Sequence, residues 1–383
     1  MSGPLGVLVT LILFIVVLGS LVLIHELGHF VTARLAGIRV LEFGVGFPPR
    51  AKVLRSAGET LYTLNWLPIG GFVKLEGEDG DDTSDPRSFA NASLPKRVVI
   101  LLAGVAMNLF LAFAIFTAIA WLATPYVGLR FAAVQPGSPA SGAGLRAGDA
   151  ILAVDGVQHE FLADDDVLTD LRSRTGDRVT LTIQHANGSV TPVDVKLRSQ
   201  AEIDAAPKDE QGRPTIGALG ISNQDPITKE PKPYEQVFFG TVSRDLPTAV
   251  GIGAQQTAHW FGVIIDGLAS LVHQVVTDPT APPPVSGPIG IATTISDIFF
   301  GAGPILTLYV AGILSANLAL VNSLPFPPLD GGRILMLVLK RVLGARMTVR
   351  AEQMTYVVGF AFLFAFLIWV SGFDIVRILN GTT

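Results

Sequence analysis

His25 and His29 stand four residues apart, and Glu26 directly follows the first of them. On a helix this spacing projects both imidazoles from one face. Two neutral imidazoles one turn apart suit a zinc ion. A carboxylate beside them can act as general base toward a water activated by that metal. The pattern is short, so its setting decides its meaning. It closes an apolar run from about Leu5 to Phe30, near the length that crosses a bilayer. Ionisable groups at that depth are costly and mark function.

A third candidate ligand lies in the other half of the chain. Asn322–Arg333 reads NSLPFPPLDGGR. Pro325, Pro327 and Pro328 break a helix, and broken helix at membrane depth persists only where protein or water lines it. Asp330 is the carboxylate this break exposes, and Gly331 and Gly332 let backbone come close to another element. Two nitrogens, one oxygen and a fourth position left open make a catalytic zinc site, not a closed structural one. The plainer alternative for Asp330 is a helix cap at the membrane surface.

The elements that must position these groups follow from composition. The chain has 383 residues, 49% hydrophobic and 15% charged, with a mean hydropathy of +0.50. That balance fits an integral membrane protein carrying a soluble part. A net charge of −5 argues against nucleic acid as a partner. The absence of cysteine excludes disulfides and thiolate ligands, so a metal must be held by nitrogen and oxygen. Four apolar segments, at about 5–30, 98–122, 304–324 and 354–370, are candidate spans. The first lacks a basic start and holds the candidate site, so it reads as a retained span, not a cleaved signal peptide. Lys and Arg crowd the stretch between the first two spans, and Lys340, Arg341, Arg346 and Arg350 lie between the last two. The positive-inside rule puts both stretches in the cytoplasm, with His25, His29 and Asp330 at that end of their spans. The acidic run Glu76–Asp85 reads as a solvated loop on the same side.

Residues 38–75 mix short β-prone runs with Gly and Pro breakers. The segment reads either as a surface hairpin or as an edge strand able to pair with an unfolded substrate backbone. Between the second and third spans, GSPA at 137–140, AGLRAGD at 143–149 and ILAVDGV at 151–157 precede alternating runs at 179–184 and 193–197. A short helix near Asp165–Ser173 and a last strand at Ile216–Ile221 complete this β-rich insert, which resembles a PDZ domain. His159 and His185 within it read as solvated or turn histidines. Residues 252–276 read as an amphipathic surface helix, whose polar side carries His259, Asp266 and His273 too widely spread for a strong metal site.

Taken together, the chain resembles the site-2 protease family of intramembrane zinc metalloproteases, and within it the bacterial branch that cleaves anti-sigma factors in regulated intramembrane proteolysis. HELGHF, GGFVKL, a PDZ domain and NSLPFPPLDGG occur in family order. The resemblance implies a polytopic α-helical membrane protein of about four transmembrane helices, with an inserted β-rich PDZ domain and a membrane-associated β-loop. The parts are a first span (1–37), a β-loop region (38–95), a second span (96–124), an extracytoplasmic PDZ-like domain (126–224), a linker with an amphipathic helix (225–300), a third span (301–340) and a fourth (350–374). It implies Zn2+ held by His25, His29 and Asp330, with Glu26 activating water. It implies that Asn317 and Asn322, and the loop Gly70, Gly71, Phe72, Val73, Lys74 and Leu75, hold the substrate. Its partners are then single-span membrane proteins of the anti-sigma-factor kind, trimmed beforehand by an upstream protease, and the lipid of the bacterial cytoplasmic (inner) membrane. Some members of this branch carry two PDZ domains; this chain has room for one. The alternatives are a non-catalytic membrane PDZ adaptor and a metal transporter. A lone histidine pair without a second polar span argues against the transporter.

Overall fold

A long apolar run with no proline after its first residue winds into one helix, α1 (Pro4–Leu35). At 32 residues it extends about 48 Å, more than the ~30 Å of a hydrocarbon core. The computed structural model describes residues 4–78, 85–163, 166–208, 214–223, 234–343 and 349–380. Most of the acidic run, with Asp165, residues 224–233 of the expected linker and Arg346, lies outside the described residues.

Two long strands follow, β1 (Val40–Ala57) and β2 (Thr60–Leu75). They pair in three stretches, 50–57 with 60–65, 42–45 with 61–64 and 40–45 with 71–75. Phe43 faces Tyr62 on one side and Val73 on the other, so residues 40–45 run between 60–65 and 71–75. The Gly71–Leu75 stretch is therefore an outer strand. Glu42 is buried at the centre of this sheet and is satisfied by Arg50 and by the Thr63 hydroxyl, 2.7 Å away. Gly44 has no room for a side chain, since an added Cβ meets Phe72 at 2.3 Å and Asn65 at 2.8 Å.

The second span is α2 (Leu94–Leu122). A β-rich stretch comes next, with β3 (Thr124–Arg130), β4 (Ala133–Val134), a helical turn α3 (Pro139–Gly142), β5 (Ala150–Val154), β6 (Val157–Gln158) and α4 (Val167–Ser173). It continues through β7 (Arg178–Gln184), β8 (Val190–Lys196), α5 (Gln200–Asp204), β9 (Ile221–Ser222) and β10 (Glu235–Val242). The main sheet has the order β10-β3-β5-β7-β8, and β4 pairs with β9. Strand β10 falls in the stretch expected to be linker. It pairs along the length of β3, a long-range pairing that local composition does not announce. The core under the sheet holds Phe131, Ile151, Leu181 and Ile183, all fully buried. His159, expected to be solvated, is 1% exposed and sits 3.4 Å from Asp170. His185 lies 3.2 Å from the buried Asp149. By its contacts the chain divides into two compact units, residues 119–249 and the rest.

Back in the first unit, α6 (Leu246–Thr277), α7 (Pro288–Gly301), α8 (Pro304–Ser323), α9 (Asp330–Leu343) and α10 (Val349–Leu379) complete the chain. Among the described residues, five helices are long and apolar enough to cross a membrane: α1, α2, α6, α8 and α10. Four were expected, and α6 is the addition. Its expected polar side, His259, Asp266 and His273, is exposed, while other residues of α6 bond to α8. Trp260 of α6 donates to the Tyr309 hydroxyl of α8 at 2.8 Å, and that hydroxyl donates to Gln256 at 2.9 Å. The protein is a multi-pass membrane protein with a β-rich portion.

Candidate metal centre

Helix α1 carries His25, Glu26 and His29 two turns from its end. The break after α8 and the start of α9 carry Asp330. The glycine pair allows that start: an added Cβ on Gly331 meets the Ser323 carbonyl at 2.2 Å, and one on Gly332 meets the Phe326 backbone at 2.4 Å. The first turn of α9 is thus folded tightly onto the proline break, and this aims Asp330 at α1. Asp330 Oδ2 lies 3.0 Å from His25 Nε2 and 3.3 Å from His29 Nε2, and the two Nε2 atoms are 3.2 Å apart. Asp330 is not a surface cap.

This triangle fits a zinc ion. Bonds of about 2.0–2.1 Å at tetrahedral angles set ligand atoms roughly 3.3 Å apart. The ring orientations also suit a cation. His29 Nδ1 lies 2.8 Å from the Ile100 carbonyl, which can only accept, so Nδ1 carries a proton and Nε2 is the nitrogen turned to the cluster. The Asn108 side-chain amide lies 3.4 Å from His25 Nδ1. The atom placed there is the amide nitrogen Nδ2; an amide's two ends have the same shape, and exchanging them would set the unpartnered Oδ1 to accept an Nδ1 proton. Both Nε2 atoms then face Asp330 Oδ2, a buried oxygen with no hydrogen-bond partner among the described residues. With both imidazoles neutral, two nitrogen lone pairs and a carboxylate oxygen converge on one point, the donor set a zinc ion takes. His25, His29 and Asp330 are also the group of three or more His, Asp or Glu with metal-ligand spacing among the described residues. His259, Asp266 and His273 form no such group.

Helix α2 comes unusually close to this cluster. An added Cβ on Gly104 meets His29 Nε2 at 2.4 Å and His25 Cε1 at 2.6 Å. Asn108 is one turn on, fully buried, with its backbone carbonyl accepting from the Ser315 hydroxyl at 2.7 Å. Sequence reasoning passed over Gly104, Asn108 and the Ile100 carbonyl. The spacing of Gly104 and Asn108 was a usable signal: four apart, they share a face of an apolar helix, and Asn is costly there.

A cavity of about 570 Å³ opens beside the cluster. Its lining includes His25, Glu26, His29 and Asp330, the outer strand residues Gly71, Phe72, Val73, Lys74 and Leu75, and Asn322. Glu26 Oε2 accepts the Val73 backbone N–H at 3.1 Å. Gly70 is not in the lining. It adopts φ 80, and an added Cβ meets Val22 of α1 at 2.9 Å, so it seats the strand on α1. Asn317 is also absent from the lining. Five residues on a helix turn through about 140°, so Asn317 and Asn322 lie on different faces of α8. Glu78 and Arg333, not singled out from the sequence, line it as well.

The profile of Peptidase family M50 matches residues 13–366. A Clostridium perfringens protein, whose name marks it a candidate zinc metalloprotease, is 32% identical over 93% of this chain and 96% of its own length. A Clostridium acetobutylicum protein with a name of the same kind is 30% identical, covering 97% and 98%. The zinc metalloprotease RasP of Geobacillus kaustophilus is 27% identical, covering 96% and 97%.

Proposed function

The chain belongs to peptidase family M50, the site-2 protease family, and from that premise we propose how its residues cut a peptide bond inside a membrane-spanning substrate. The convergence of His25, His29 and Asp330 from opposite halves of the chain carries this reading. These three residues would hold zinc, which when bound would polarise the scissile carbonyl and lower the pKa of a water. Glu26, one residue from His25 and lining the same cavity, takes the proton from that water at a carboxylate oxygen and hands it to the leaving amine.

A helical peptide bond is shielded by its own hydrogen bonds, and lipid supplies no replacement for them. Each backbone group freed by unwinding is costly there unless a protein group satisfies it. The outer strand Gly71–Leu75 offers backbone donors and acceptors for an extended substrate. Asn322 offers an amide from the opposite wall. The case for Asn317 rests on family resemblance alone.

The natural partners in this reading are single-span proteins of the anti-sigma-factor kind, already trimmed by an upstream protease, in a bacterial inner membrane. The β-rich unit then acts as a PDZ-like module outside the cytoplasm, and the active site lies near the cytoplasmic side. The Lys and Arg content of residues 34–97 supports that orientation. A non-catalytic adaptor would leave the triangle of ligand atoms without a purpose.

The test uses the purified chain in detergent and a synthetic single-span peptide with a Gly- and Ala-rich middle. Mass spectrometry of the products is expected to find cleavage within the apolar span, lost on chelation and restored by added zinc. Cleavage only outside the span, or cleavage indifferent to chelator, rejects the proposal.

A further inference from the structure

The outer strand that the preceding section assigns to substrate is already occupied by this chain's own side chains. Successive residues of a strand send their N–H groups to opposite sides, so Val73 and Leu75 donate in the same direction. On the inner side, the next N–H along, that of Glu76, bonds to the Arg39 carbonyl beside β1. The Val73 and Leu75 donors therefore point to the open edge. Val73 N–H is taken by Glu26, and Leu75 N–H is taken by Glu78 Oε2 at 3.3 Å. An open strand edge in a folded protein is normally blunted by some such device.

Glu78 is built into that position. The chain turns back at Gly77, where φ is 68, and the Glu78 N–H returns to the Leu75 carbonyl at 3.4 Å. The turn brings the carboxylate over Leu75 N–H. Its other oxygen, Oε1, is gripped by the Arg333 guanidinium. Arg333 sits three residues after Asp330, on the first turn of α9. One arginine thus ties the helix that bears a candidate metal ligand to the end of the outer strand, across the cavity mouth.

We propose that Glu78, held by Arg333, is an internal plug: its carboxylate stands where a substrate backbone carbonyl would accept from Leu75, and a pairing substrate must expel it. The proposal rests on the outer strand being the substrate's seat. It gives the site a threshold. A helix that stays wound presents no free carbonyl to compete for Leu75, whereas an unwound segment does. The same pairing takes the Val73 N–H from Glu26, which leaves that carboxylate free for proton transfer. Substrate seating and freeing of the base are then one event.

The chain has no cysteine, so Lys74→Cys supplies a single reporter beside Val73 and Leu75. The full chain is incubated with the synthetic single-span peptide carrying one mid-span cysteine and with an added two-electron thiol oxidant, diamide, and disulfide formation is followed with time. Cleavage of the cysteine-free peptide is measured in parallel. Glu78→Ala is expected to speed cross-linking and to lower KM by about three- to tenfold, the scale of one backbone hydrogen bond no longer contested, with the gain in KM and not in kcat. Glu78→Gln keeps an acceptor for Leu75 but loses the grip of Arg333, and moves KM the same way by less. If KM is unchanged or higher in both variants while Lys74→Cys still cross-links, the plug is wrong and the substrate strand stands. If Lys74→Cys cross-links in neither background, the strand assignment fails and the plug falls with it.

Discussion

Glu26→Gln is expected to lower cleavage of a single-span substrate by roughly a thousandfold, the middle of the range for a general acid–base group, while bound zinc is unchanged. Glutamine has the same size, and its amide oxygen can still accept the Val73 N–H that Glu26 Oε2 now accepts at 3.1 Å. What it cannot do is take a proton. Glu26 is also not a member of the His25–His29–Asp330 triangle, so the metal should stay. The check is a pair of measurements on one preparation, turnover of the peptide and zinc per chain. Retained turnover removes Glu26 from the proton path. Loss of turnover together with zinc would make its role structural.

The second large effect comes from a residue with no side chain. Gly104→Ala places a methyl 2.4 Å from His29 Nε2 and 2.6 Å from His25 Cε1. Both contacts are far inside van der Waals distance, and the atoms struck belong to the two imidazoles. Neither ring can retreat easily. The proton on His29 Nδ1 is tied to Ile100, which lies on the same helix as Gly104. Zinc affinity is expected to fall by roughly a hundredfold, the upper end for loss of groups that orient metal ligands, with activity falling alongside. Gly262 in α6 is the control, because a Cβ there meets nothing within 4 Å. Gly262→Ala should bind zinc like the unsubstituted chain. Equal zinc affinity for the two variants would mean that α2 does not press on the cluster.

Much of the site was legible in the sequence because it is written in short spacings. His25 and His29 share a helix face at any tertiary arrangement, and the prolines before Asp330 break a helix wherever they fall. Long apolar runs gave α1, α2, α8 and α10 for the same local reason. The features that escaped depend on which distant element arrives. Strand β10 exists because β3 offers it a partner across a hundred residues of chain. Helix α6 has an exposed polar side, and the bond from its Trp260 to Tyr309 of α8 has no local mark in the sequence. His159 carries no local mark of burial. Arg333 and Glu78 are ordinary charges until the start of α9 and the turn at Gly77 bring them together. Asn317, which the resemblance places with Asn322, lies about 140° from it around α8 and outside the cavity's lining.

The account stands on one cation held jointly by α1 and α9. The most direct measurement is the zinc content, by elemental mass spectrometry, of the purified full chain beside its Asp330→Ala variant, with thermal unfolding confirming that both are folded. About one zinc per chain is expected for the unsubstituted protein, as a site of two nitrogens and one oxygen requires, with little or none for Asp330→Ala. Zinc retained in full by a folded Asp330→Ala protein would contradict the claim that this aspartate closes the site.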